Sequence, residues 1–195
     1  AERLRRAFTA LEWNLEINDY GPSPRFRMRV TPELADTSPC VLLESVEHGM
    51  DPDKLFYLRM CVEDSQFTDP DLIAFRDFVN SDEFLRKMEA ITGEAGLTHS
   101  WIEATCYGKG CFLGGHRDDH NPENVIAMVF NLTPKWQIDW GGLLMMVYPN
   151  MPPAIVPPVW NSLSIFTVPQ DHLVSAVSPA ATEKRYALTG WARRR

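Results

Sequence analysis

Apolar residues near the start of the chain recur at helical spacing: Leu4, Phe8 and Leu11 fall on one side, with charged residues between them. Ser38-Pro39 reads as an N-cap followed by the first helical position, and Gly49 is placed to stop that helix. Across 55–62 the period changes, because Phe56, Leu58, Met60 and Val62 alternate as in a strand. Helical spacing resumes after Asp69-Pro70, through Phe75 and Val79. A further helix opens at Ser81, carries Phe84, Leu85, Met88 and Ile91 on one face, and ends at Gly93. These stripes are core contacts and carry no chemistry.

From about Leu97 the texture differs. Short β-prone runs at 100–107, 125–132, 143–148, 163–168, 173–177 and 186–191 are separated by Gly, Pro and Asn, which predicts a sandwich or barrel. The Pro-rich stretch 149–158 cannot lie in a central strand, since proline donates no ladder hydrogen bond, and is expected to form a loop plus an edge. No repeat or low-complexity tract interrupts the chain. The pattern predicts an α+β protein of one compact domain, with a helix-rich support region over 1–96 and a β-rich core over 97–195.

Composition changes this picture little. With 195 residues, 45% of them hydrophobic and 23% charged, the chain can bury a core without disulfides. Its net charge is −7 and its Lys and Arg are scattered, so a phosphate backbone is not the expected partner. The basic run 193–195 reads as a frayed terminus. Cys40, Cys61, Cys106 and Cys111 form no C-x-x-C pair and are expected to be reduced, mostly buried thiols in the cytoplasm. No apolar run is long enough for a membrane span, and no signal peptide opens the chain. The helical pattern begins directly at Ala1, as in a processed or shortened chain, so preceding residues are expected.

Among five histidines, His116 and His172 stand out, because Asp118 lies two residues after the first and fifty-four before the second. In an extended strand, residues two apart share a face, so His116 and Asp118 can grip one ion while His172 arrives from a distant strand. Two imidazoles and one carboxylate suit iron(II) and leave coordination positions open. Alone, an H-x-D pair is a weak signal that arises by chance in many proteins, and on spacing alone the surrounding Gly114, Gly115, Asp119 and His120 favour a solvated turn. The downstream register adds weight. Thirteen residues after His172, Arg185 opens an alternating strand from which a guanidinium can grip a carboxylate through two parallel hydrogen bonds, if it is not a surface arginine paired with Glu183.

Taken in order, Cys106-Tyr107, His116-Arg117-Asp118, Asn131-Leu132 with Trp136, Gly141-Gly142-Leu143, the segment 161–166, His172 and Arg185-Tyr186-Ala187-Leu188-Thr189-Gly190-Trp191 resemble the prolyl-4-hydroxylase-like branch of the iron(II)/2-oxoglutarate dioxygenases. Glu12-Trp13-Asn14 and 75–81 are similar to a bacterial proline-hydroxylase-type subgroup. The resemblance implies a double-stranded β-helix, or jelly roll, with a helical N-terminal layer packed against it. It implies Fe(II) held by His116, Asp118 and His172, with 2-oxoglutarate and O2 as cosubstrates and ascorbate as a candidate reductant. Arg185 would meet the far carboxylate of 2-oxoglutarate, with Tyr107 and Thr189 in the same pocket and Trp191 packing its wall. Asn131 stands where many relatives carry a tyrosine that helps bind that carboxylate, and Asn124 replaces a common basic residue. The implied reaction is hydroxylation of an unactivated C–H bond, of a prolyl residue in a protein or peptide. Free proline or another small metabolite is the alternative substrate, with Arg117 a candidate for proline's carboxylate. A cupin-type metal enzyme would leave Arg185 without a ligand. A nucleic-acid demethylase would carry a second arginine where Trp191 stands, and a non-catalytic jelly roll would have lost a metal ligand.

Overall fold

Three α-helices and eleven strands are formed among the residues described by the computed structural model, 1–19, 26–30 and 55–195. The helices are α1 (Glu2–Ala7), α2 (Pro70–Val79) and α3 (Asp82–Thr92). The strands are β1 (Asn14–Asp19), β2 (Phe26–Arg29), β3 (Leu55–Glu63), β4 (His99–Tyr107), β5 (Phe112–His116), β6 (Asn124–Asn131), β7 (Leu144–Met146), β8 (Ala154–Val156), β9 (Ser162–Thr167), β10 (His172–Val174) and β11 (Arg185–Arg193). All join one antiparallel sheet in the order β8-β7-β10-β5-β3-β4-β11-β6-β9, with β1 added to β3 and β2 to β1.

The sheet rolls over so that its limbs face one another. Val129 of β6 and Ala187 of β11 share a buried cluster with Leu144 and Met146 of β7. The ring of Phe166 on β9 meets His172 on β10 edge-on at 4.6 Å. Period-two alternation then sorts the central strands. Trp101, Glu103 and Tyr107 of β4 and Arg185, Thr189 and Trp191 of β11 look inward on a cavity. Their even-numbered neighbours Ile102, Ala104, Leu188 and Ala192 pack outside, with Leu72 and Val79 of α2 and Phe84, Leu85 and Met88 of α3. Leu72 and Val79 are fully buried, each contributing roughly 1.5–3 kcal/mol of transfer free energy. Both helix starts match their sequence signals. The Asp69 carboxylate accepts from the Asp71 and Leu72 N–H groups at 2.8 and 3.4 Å, and Ser81 Oγ accepts from Phe84 N–H at 3.3 Å.

The first 96 residues supply strands as well as helices, and β3 lies inside the sheet between β4 and β5. The helix expected over 38–49 lies outside the described residues. Within the Pro-rich stretch, β8 forms one end of the sheet order, an edge position that spares prolines from ladder bonds. No helix among the described residues is long and apolar enough to cross a membrane.

Candidate active site

Antiparallel pairing of β5 with β10 sets His116 directly opposite His172, their ring centroids 4.1 Å apart. Asp118 reaches them by a route other than the one its spacing suggested. A single extended strand was expected to present both side chains, but β5 ends at His116, and Asp118 lies beyond it with φ 61°. Aspartate tolerates this left-handed conformation better than a bulky residue does. The turn is held by Asn124, whose Nδ2 donates to the Asp118 carbonyl at 2.9 Å.

The buried Asp118 carboxylate sits between the two imidazoles, Oδ1 3.2 Å from His116 Nε2 and Oδ2 3.4 Å from His172 Nε2. Each ring is fixed from behind, His116 Nδ1 donating to the Gly114 carbonyl and His172 Nδ1 to the Gln170 carbonyl, both at 2.8 Å. A carbonyl only accepts, so each Nδ1 carries the proton and each Nε2 offers a lone pair on the Asp118 side. Ligand atoms bound at about 2.1 Å to one ion at right angles lie about 3 Å apart. The three groups, all within 4.8 Å of one another, fit such a facial set. With both imidazoles protonated, the form that a bound metal would displace, burial pushes the Asp118 pKa up, but the hydrogen bond and charge of His116, the charge of His172 and a hydrogen bond from Trp191 outweigh it, holding the carboxyl below its usual value. His120 stands outside the set, edge-on to Trp191 at 6.0 Å. Cys106 and Cys111 are buried in the apolar core beside Val174 and Val177.

The triad opens on a cavity of about 540 Å³, which Arg185 also lines. Arg185 is 2% exposed, pairs in register with Tyr107 and lies 5.3 Å from the centre of that ring. Its Nε is buried without a hydrogen-bond partner, and among the described residues it forms no ion pair. Burial lowers its pKa, opposed only by Tyr107. A cation buried without an anion is costly, and an anionic group at this end of the cavity would offset that cost. Gly142 makes room for it. With φ 61°, a Cβ there would lie 3.4 Å from Arg185 Cδ and 3.2 Å from both Trp136 and Val177. Burial raises the Tyr107 pKa against the pull of Arg59 and Arg185, keeping its phenol a neutral donor. Thr189 lines the same cavity. Asn131 does not; it is buried, and its Nδ2 donates to Ser162 Oγ at 3.1 Å.

Two features of the cavity were not legible in the sequence. Trp191, read as wall packing, donates from its indole Nε1–H to Asp118 Oδ2 at 2.9 Å while stacking on Trp101 with centroids 5.3 Å apart. The HxD motif gives no hint of this, since the two residues lie seventy-three positions apart. Arg59 of β3 reaches the cavity from the first half of the chain and ion-pairs with two buried carboxylates, Glu103 and Glu16. Arg59 and the two acids lie on three different strands, and the signal exists only in the register.

Residues 102–193 match the model of the 2OG-Fe(II) oxygenase superfamily. The chain is 26% identical over 149 residues to prolyl 3,4-dihydroxylase OGFOD1 of Ostreococcus tauri, a match covering 69% of this chain and 28% of that protein. It therefore spans under a third of this curated relative. Among solved structures it is similar to a prolyl-4-hydroxylase of Pseudomonas putida (TM-score 0.56, 24% identity, 69% of this chain and 71% of the other). It is also similar to an oxidoreductase of the 2OG-Fe(II) oxygenase family from Burkholderia pseudomallei (TM-score 0.63, 15% identity, 100% and 78%). A third likeness is to a prolyl hydroxylase of Trichoplax adhaerens solved with a hypoxia inducible factor oxygen degradation domain peptide fragment (TM-score 0.56, 16% identity, 98% and 88%). The rolled antiparallel sheet is thus a double-stranded β-helix. Residues 102–193, which hold the His-Asp-His triad, are thus similar to the 2OG-Fe(II) oxygenase superfamily, whose members work with Fe(II), 2-oxoglutarate and O2, and the relatives they resemble include prolyl hydroxylases.

Proposed function

We propose that this chain is an Fe(II)/2-oxoglutarate-dependent dioxygenase that hydroxylates a prolyl residue in a protein or peptide. The observation that carries the reading is one cavity holding both a facial metal-ligand triad and a buried arginine with no anionic partner among the described residues. Iron(II), held by His116, Asp118 and His172, would supply O2 activation coupled to decarboxylation of 2-oxoglutarate to succinate. Arg185 would take the far carboxylate of 2-oxoglutarate through two N–H groups, with Tyr107 adding a hydroxyl donor and Thr189 flanking them. Asn131, turned toward Ser162, is assigned to packing of β6 against β9. Arg117, Asp119 and His120 leave the mouth exposed to solvent, as an extended chain segment requires. In this reading residues 1–96, which add β1, β2 and β3 to the sheet, flank a catalytic core formed over 97–195, all in one compact domain.

The test is to incubate iron-loaded protein and 2-oxoglutarate with proline-containing peptides and, separately, with free proline. Succinate and a mass gain of one oxygen on the peptide are expected. Oxidation of free proline or another metabolite, with peptides untouched, would overturn the peptide assignment.

A further inference from the structure

β11 carries a second arginine into the cavity at its opposite end. Arg193, which the sequence assigned to a frayed terminus, is the last residue of β11, is half-buried and lines the cavity. Its guanidinium lies over the rings of Trp101 and Trp191, 5.5 and 5.7 Å from their centres. Its Nε–H donates to Asn124 Oδ1 at 2.9 Å, and that same Asn124 holds the Asp118 turn through its Nδ2. Arg193 is thereby fixed beside the metal-ligand loop by a neutral partner, and among the described residues it forms no ion pair. Burial outweighs the fields of Glu123 and Asp64 and lowers its pKa. Arg117, the candidate read from the sequence, differs: Asp119 and Asp171 lie 3.5 and 3.9 Å from its Nε. Of the two arginines at the mouth, one has its charge offset by neighbouring acids. The other is held in place, and among the described residues its terminal N–H groups donate to no partner.

We propose that Arg193, seated on Trp101 and Trp191, recognises a carboxylate of the substrate, so that the preferred substrate carries an acidic group close to the carbon that is oxidised. This rests on the reaction proposed above. A guanidinium pre-set on two aromatic faces loses little freedom when it grips a carboxylate through its two terminal nitrogens. The carboxylate has two possible sources: an acidic side chain beside a prolyl residue, or the carboxylate of free proline.

The two arms are capped peptides with one prolyl residue followed by Glu or by Gln, and L-proline against L-prolinamide. Binding is measured by calorimetry under nitrogen with Fe(II) and 2-oxoglutarate present, and oxidation by mass gain in air. In one arm the acid member is expected to bind roughly tenfold or more tightly than its neutral partner, as for a charge-assisted pair. Arg193→Gln should erase that preference, Arg193→Lys should keep part of it, and both should keep the wild-type affinity for 2-oxoglutarate and the wild-type thermal midpoint. Equal binding of acid and neutral members in both arms overturns the proposal, as does a preference that survives Arg193→Gln. Prolyl oxidation without acid preference overturns this proposal and leaves the prolyl reading standing. An Arg193-dependent acid preference without oxidation of the prolyl ring does the reverse.

Discussion

Arg185 and Asp118 are both buried and ionisable, but the fold treats them in opposite ways. Asp118 is surrounded by donors and opposite charge, whereas Arg185 lies over the ring of Tyr107 and forms no ion pair among the described residues. A residue satisfied within the chain serves the architecture of the site; one left without an anion is shaped for a ligand. Changing Arg185 to Ala is therefore expected to leave metal binding intact and weaken 2-oxoglutarate by on the order of a hundredfold. Titration of the iron-loaded variant with 2-oxoglutarate checks this, and an unchanged affinity would place the anchor elsewhere. Trp191 acts one bond further out, as a positioning residue. Its N–H occupies one oxygen of Asp118 and its ring is clamped against Trp101. Trp191→Phe keeps the ring and removes the donor, so metal affinity should fall about tenfold, the lower end for loss of an outer partner. Competition for Co(II), with its visible spectrum as a second readout, measures this without turnover; an unaltered affinity and spectrum would reduce Trp191 to packing.

Among the elements, β11 does the most positioning. It pairs with β4 on one side and β6 on the other, and it carries Arg185, Thr189, Trp191 and Arg193 into one cavity. Gly190 lets it lie this close to β4. A Cβ at 190 would fall 2.0 Å from the Trp101 carbonyl oxygen and 2.7 Å from Ile102 Cα, both of them backbone that cannot rotate aside. Gly190→Ala should therefore separate β4 from β11 at the Trp101–Trp191 pair, costing about 3 kcal/mol or more by overpacking. A urea midpoint matching wild type would show that the strands can yield there. Strand β11 was legible in the sequence because Arg185 to Trp191 alternates cleanly, and α2 and α3 were legible through Asp69, Pro70, Ser81 and Gly93. Strand β5 was not, since Phe112-Leu113-Gly114-Gly115-His116 pairs two apolar residues with two glycines and shows no period. Nor were β1 and β2, whose short runs cannot outweigh the helical spacing before them until β3 supplies a partner. Residue types at the metal site could be read directly, whereas the turn at Asp118 and the contacts of Trp191 and Arg193 depend on register, which a single sequence does not encode locally.

At the scale of the whole molecule, the triad joins distant stretches of chain. His116 and Asp118 are separated from His172 by more than fifty residues, and β10, which bears His172, is only three residues long. That short strand is the bridge by which β7 and β8 attach to the rest of the sheet. A metal at His116, Asp118 and His172 would thus be a removable cross-link closing a long loop, and not solely a reagent. At a free concentration of a hundred times its dissociation constant it would add about 2.7 kcal/mol to stability. Chelation should lower the thermal midpoint, and restoring Fe(II) or a redox-inert divalent ion should raise it again; an identical midpoint in both states would show that the site contributes nothing to folding. Because the limb carrying β7 and β8 hangs on β10, its segment 149–158 should be the first cut by a protease once the ion is gone, and protected when it returns. In a cell short of iron, the supply of metal would then govern how long the protein lasts as well as how fast it works.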